Sequence, residues 1–353
     1  MSARRPVPER RADLGRYDLR GVHPRLRFGT ASDRFAAWID QVYPRDVWAG
    51  EVSTRTKRVG GEGFEERLLP VASVEDYFLH FGVLELDFTF YRPLLEPDGR
   101  SGPALFTLQA YAEHAPANAR FLLKAPQAFA AQRLRRTVDG RPQFVDNPDY
   151  LDAEGFTGRF LAPALDTLGA DRLAGVLFEQ AYARVRESPP PEAFVAELDG
   201  FFAEVPDTAQ VHLEIRSPHL LTPPYLAWLE ARGLGFVFSH WTWLPSLREQ
   251  WGLAGERFTA ANGEAVLRLL TPREMKFDES YRRAYPFEGP AASLADTPEA
   301  RQMVDEATAL LYKAVEADVT VNAILNNRAW GNAPDLARTL ANRFLDFADR
   351  FEA

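Results

Sequence analysis

Short apolar runs recur along this chain at strand length, each followed by a longer amphipathic stretch. That rhythm narrows the fold more than any other feature. The runs cover residues 26–30, 83–88, 120–124, 173–178, 210–215, 235–239, 265–270 and 319–325. Each is rich in Val, Ile, Leu or Phe, the residues that fill buried strands. Helical patterns lie between them, over 105–114, 192–204, 225–232 and 297–317, with a last one carrying Leu336, Leu340, Phe344 and Phe347. Gly233 closes the third as a C-cap, and Thr297-Pro298 opens the fourth as a cap with a first-turn proline. Eight such units predict an α/β chain folded as one (β/α)₈ TIM-type barrel. The alternative is an open doubly wound sheet, but its G-x-G-x-x-G turn behind a first strand is missing. Gly60-Gly61-Glu62-Gly63 lies in a polar insertion instead.

Such a barrel takes about 250 residues, and the chain has 353. The surplus falls in a basic arm (1–24), an insertion read as a loop or lid (43–69) and an irregular stretch after the seventh strand (271–296). The barrel domain itself spans 25–353. Residues 1–27 hold eight arginines against Glu9, Asp13 and Asp18, so the rest is more acidic than the overall charge of −9. An acidic body argues against nucleic acid, which needs clustered positive charge. The arm reads as a solvated tail. No run approaches the ~18 apolar residues of a membrane helix, and the first residues lack an apolar signal core, so the cytoplasm is the expected compartment. Cysteine is absent, which leaves chemistry to carboxylates, amides, Lys, Arg and His.

Period-two alternation sorts the strand residues. In the second strand Leu84, Leu86 and Phe88 face the helices, and Glu85, Asp87 and Thr89 face the barrel interior. In the fifth, His212, Glu214 and Arg216 face in. Arg268 does so in the seventh, and Asn322 and Asn326 in the eighth. Lys124, Gln180, and His240 with Trp241 stand at the ends of the third, fourth and sixth. This predicts a polar lumen opening into a pocket at the C-terminal strand ends, for a small anionic or polyhydroxylated ligand. Lys124, Arg216 and Arg268 are the expected anion grips, since guanidinium matches phosphate or carboxylate. Asp87, Gln180, His240, Asn326 and Asn327 offer further polar contacts, and Tyr91 a stacking face. Glu85, Glu214 and Lys124 are the acid–base candidates. A metal-dependent hydrolase or isomerase is the competing reading. Its ligands would come from His212, Glu214, Glu85, Asp87, Glu179 and His240, but no tight motif supports it and the positive neighbours would repel a cation. No metal or other cofactor is therefore expected. The third reading is a non-catalytic protein whose charges form only a salt-bridge network.

Several segments, in order, resemble the uncharacterised family called domain of unknown function 72, or YecE-like proteins. Gly29-Thr30-Ala31-Ser32-Asp33 is similar to its Gly-Thr-Ser-Gly-Trp, and the segment from Leu84 to Arg92 to its VEIN-x-x-FYR. Phe121-Leu122-Leu123-Lys124-Ala125-Pro126 matches its F-x-x-KAP. Gln180, Glu214-Ile215-Arg216-Ser217, Arg268 and Leu325-Asn326-Asn327 resemble later motifs, as does Gly331-Asn332-Ala333-Pro334. The resemblance spans about residues 27–345 and implies a TIM-type barrel with no established activity. The chain departs from the pattern where Asp33 replaces Trp, where Ala181-Tyr182-Ala183 follows Gln180, and where a strand-end His after Arg268 is lost.

Overall fold

The computed structural model describes residues 5–138 and 140–351. It contains twelve strands: β1 (Leu26–Ala31), β2 (Ser53–Val59), β3 (Glu62–Leu68), β4 (Val83–Leu86), β5 (Phe121–Lys124), β6 (Arg133–Val138), β7 (Arg141–Asp146), β8 (Leu173–Gln180), β9 (Val211–Ile215), β10 (Gly235–His240), β11 (Glu264–Leu269) and β12 (Thr320–Leu325). Eight of them close a parallel barrel in the order β1-β12-β11-β10-β9-β8-β5-β4. Each falls on one of the eight apolar runs. β2–β3 and β6–β7 are separate antiparallel hairpins.

Alternation builds two apolar zones from the same strands. Phe28, Leu84, Leu123, Phe178, Leu213, Phe238, Leu267 and Leu325 face outward into the helix layer. Val83, Leu122, Leu177, Val237, Val266 and Ile324 meet inside the barrel. The lumen is therefore not polar throughout, as the sequence had suggested. An apolar layer fills its middle, and polar groups lie to either side, as the layered packing of such barrels favours. Toward the N-terminal end, Arg27 bonds Glu264 (2.8 Å) and Asn322 (3.3 Å), and Asn322 donates to Glu264 (2.8 Å).

The helix caps follow the sequence. Gly233 ends the helix Pro223–Arg232 at φ +68°, a conformation that suits glycine. Thr297 Oγ1 accepts from the Ala300 N–H (3.0 Å) at the start of Pro298–Glu316. Among the described residues no helix is long and apolar enough to cross a membrane.

Three segments depart from expectation. Over its described part the arm is not a solvated tail; residues 1–4 lie outside the described residues. Val7–Leu14 form a helix on Ala333–Phe351. Val7 and Leu14 join the core from one face, and Arg11 pairs with Asp346 (2.7 Å). The 43–69 insertion holds the helix Arg45–Trp48 and the β2–β3 hairpin rather than a loop. Gly60 and Gly61 form its turn with both φ positive (+59° and +88°), the two-residue geometry that matches strand twist. The 271–296 stretch holds the helices Phe277–Ala284 and Ala292–Ala295. Tyr281 and Ala284 of the first bury themselves with Val59 of the hairpin.

Candidate functional site

One pleat past the apolar lumen layer, toward the C-terminal end, the same faces carry charge. Glu85 follows Val83, Lys124 follows Leu122, Glu179 follows Leu177 and Arg268 follows Val266, each by two residues. Arg268 grips Glu85 with two nitrogens (2.6 and 2.9 Å), bonds Glu214, and reaches Glu179 (3.5 Å). Arg216 donates to Glu179 (2.7 Å) and Glu214 (2.9 Å). Lys124 donates to Glu179 (2.8 Å) and lies 4.1 Å over the Phe90 ring. Three cations thus meet three carboxylates in a buried, neutral plug. Burial raises the Glu85 carboxyl pKa, against the pull of Arg268 and Lys124. Burial would raise Glu179 as well, but Arg216, Lys124 and Arg268 hold it well below the usual range. The three expected anion grips are therefore already paired within the protein.

Beside this plug a cavity of about 460 Å³ opens at the C-terminal ends of β1, β4 and β12. Lys57 and Glu66 of the β2–β3 hairpin line it from one side, and Tyr281 and Phe287 from the segment after β11. Arg55 and Lys57 both bond Glu66 (2.7 Å each). Arg328 also lines the cavity, on a short turn after β12 where the Asn326 side chain accepts from its N–H (3.0 Å). Its guanidinium stacks 4.6 Å from the Phe277 ring centre. Among the described residues it forms no ion pair, and its buried Nε has no partner. Burial, then Arg216 and Arg268, bring its pKa down to about 10, so it stays charged at neutral pH.

At the end of β1, Ser32 and Asp33 line the same cavity. Ser32 takes φ +68° and its Oγ donates to Asp87 Oδ1 (2.9 Å). Asp33 is buried. Tyr111 donates to its Oδ1 (2.7 Å), while Oδ2 has no partner. Burial pushes its pKa up to about 6, against the Tyr111 hydrogen bond and Arg34. Asp33 therefore binds its proton more tightly folded than unfolded. Its contribution is most favourable at low pH and is lost as pH rises from about 4 through 6. Between pH 4 and 7 the wild type should lose roughly 2–3 kcal/mol of stability relative to Asp33→Asn. Urea unfolding at the two pH values measures this, and a pH-independent difference would contradict a buried proton on Asp33.

Of the residues singled out in the sequence, Asp87, Tyr91, Asn326 and Asn327 line the cavity. Glu85, Lys124, Glu214, Arg216 and Arg268 form the adjoining plug. β4 ends at Leu86, so Asp87 and Thr89 belong to a loop and a 3₁₀ turn rather than a strand. Gln180 and His240 are not brought to the cavity. Glu179, its neighbour, takes the lumen position expected of Gln180. His240 donates to the Thr271 carbonyl (2.9 Å) and lies 3.3 Å from Glu299. Among the described residues no group of three or more His, Asp or Glu is placed to hold a metal ion. Of the carboxylates in that competing set, Glu85, Glu179 and Glu214 are taken by Arg and Lys, and Asp87 accepts from Ser32. Sequence reasoning passed over Ser32 and Arg328, and noted Asp33 only as a departure.

A model of the family described as protein of unknown function DUF72 matches residues 54–350. The chain belongs to the DUF72 family. The match begins inside β2, so Ser32 and Asp33 precede it. A DUF72 family protein of Thermotoga maritima is 16% identical, with a TM-score of 0.51 over 93% of this chain and 99% of that one. A DUF72 family protein of Enterococcus faecalis is 14% identical, with a TM-score of 0.52 over 91% and 98%. At these identities the likeness shows the DUF72 barrel fold alone. No curated protein matches the chain.

Proposed function

We propose that this DUF72 barrel binds a small anionic, hydroxyl-bearing ligand in the cavity at the ends of β1, β4 and β12, with Arg328 as the anion grip. The observation that carries this reading is Arg328 itself. A partly buried guanidinium without a carboxylate is costly unless a ligand supplies the counter-charge. The volume suits a sugar-sized or nucleotide-sized molecule. Asp87, Asn326 and Asn327 supply polar contacts for hydroxyls. In this reading Lys124, Arg216 and Arg268, paired with their carboxylates, fix the floor beside the cavity. The paired plug on its own would suit a purely structural role, but the open cavity next to it favours binding.

Calorimetric titration with inorganic phosphate tests the proposal. Arg328→Ala should weaken binding ten- to a hundredfold, the span of a charge-assisted hydrogen bond, with Arg328→Lys in between. Equal phosphate affinity in wild type and Arg328→Ala, or no binding by the wild type, would overturn it.

A further inference from the structure

Ser32 occupies backbone that a serine enters at a cost. Its φ of +68° lies in the left-handed region, where a side chain clashes with the following carbonyl. Strain of this kind persists where the surroundings impose it, and it concentrates at functional sites. The surroundings here are specific. The Ser32 N–H is held by the Glu85 carbonyl (3.1 Å), and the Ser32 carbonyl by Thr30 Oγ1 (2.7 Å). The hydroxyl is left on the cavity wall, donating to Asp87 Oδ1 at 2.9 Å. Both residues are partly exposed, so a ligand in the cavity can reach them. A carboxylate accepting the proton of a cavity serine is the nucleophile–base pairing of covalent catalysis. Asp33, the next residue, has a carboxyl oxygen with no protein partner, and Arg328 lines the same cavity.

We propose that Ser32 is a nucleophile toward phosphate monoesters, with Asp87 as its base, Asp33 as the acid for the leaving group and Arg328 holding the phosphoryl oxygens. This rests on the anion-binding reading above. Ser32 Oγ bonds to phosphorus as the ester P–O bond breaks. The serine proton passes to Asp87, and the departing alkoxide takes a proton from Asp33. Water then attacks the phosphoserine and gives its proton to Asp33, and Ser32 recovers its own from Asp87. The sum is ester plus water to alcohol plus inorganic phosphate. Positive charge at Arg328 meets the charge spread over the transferring group.

Two probes test this on the full chain: diisopropyl fluorophosphate, with the labelled peptide located by mass spectrometry, and p-nitrophenyl phosphate, followed by nitrophenolate release. The wild type should carry a diisopropylphosphoryl group on Ser32, with loss of fluoride, and should turn over the p-nitrophenyl ester. Asp87→Asn should slow both reactions at least a hundredfold. Ser32→Gly removes the hydroxyl while suiting the left-handed backbone, so it should melt at a higher temperature than wild type yet take no label and show no turnover. Phosphate affinity should persist in Ser32→Gly. A wild type that is neither labelled nor active, or labelling equal in Asp87→Asn, overturns the nucleophile. If phosphate binding still depends on Arg328 in that event, the binding reading stands without it.

Discussion

Arg268→Met should lower the unfolding free energy by about 3–5 kcal/mol, a large share of the roughly 5–15 kcal/mol that keeps a domain folded. Arg268 is almost fully buried and is the cation that touches all three plug carboxylates. Methionine fills similar space but leaves Arg216 and Lys124 facing Glu85, Glu179 and Glu214. One buried negative charge is then uncompensated, and Glu85 loses both of its Arg268 hydrogen bonds. Urea denaturation measures the loss. Because the pair is buried, added salt should change it little. A loss under about 1 kcal/mol would mean that water reaches the plug and screens it.

Gly235→Ala should be nearly as damaging, at about 3 kcal/mol. A Cβ at position 235 would stand 2.0 Å from His212 Nδ1. The ring has little room to retreat, because its other edge lies close against Gly175 of β8, on the far side of β9, where even a Cβ would stand only 3.0–3.1 Å away. His212 is fully buried, neither ring nitrogen has a partner, and burial takes its pKa down to about 4. Adding His212→Ala removes the clash. The double variant should therefore recover stability, with a coupling of at least about 1 kcal/mol in a double-mutant cycle. Strict additivity would show that the ring and residue 235 do not compete for one space.

The barrel was legible in the sequence because its eight strands must bury both faces, and continuous Val, Leu, Ile and Phe mark them. The hairpins were not legible for the opposite reason. Most of Ser53–Leu68 is polar on both faces, with Val59 and Glu66 alone buried, so no alternation announces it. The helix Phe277–Ala284 packs on that hairpin rather than on the barrel rhythm, and its role stays hidden with it. At the site, period two placed Glu85, Glu214 and Arg268 on the lumen side. It carried no information on partners, so the same cations read equally as anion grips or as halves of a salt-bridge network. Asp33 acquires its character from burial by parts of the chain far away in sequence, and its hydrogen-bond partner Tyr111, on the helix Pro103–His114, comes 78 residues later. Arg328 carries no signal in the sequence, because nothing near it there shows the lack of a carboxylate in space.

The barrel seam joins β1 to β12, and the Arg27–Asn322 contact across it spans 295 residues. Closing so long a loop before any local reward accrues makes this contact an entropically late event in folding. During synthesis β1 must wait as an open edge until β12 has left the ribosome, with one flank of its backbone unpaired. The cavity is built at the ends of β1, β4 and β12, so it comes into being only with closure. A nascent or truncated chain lacking β12 would have no binding site, and would expose the sheet edge that invites aggregation.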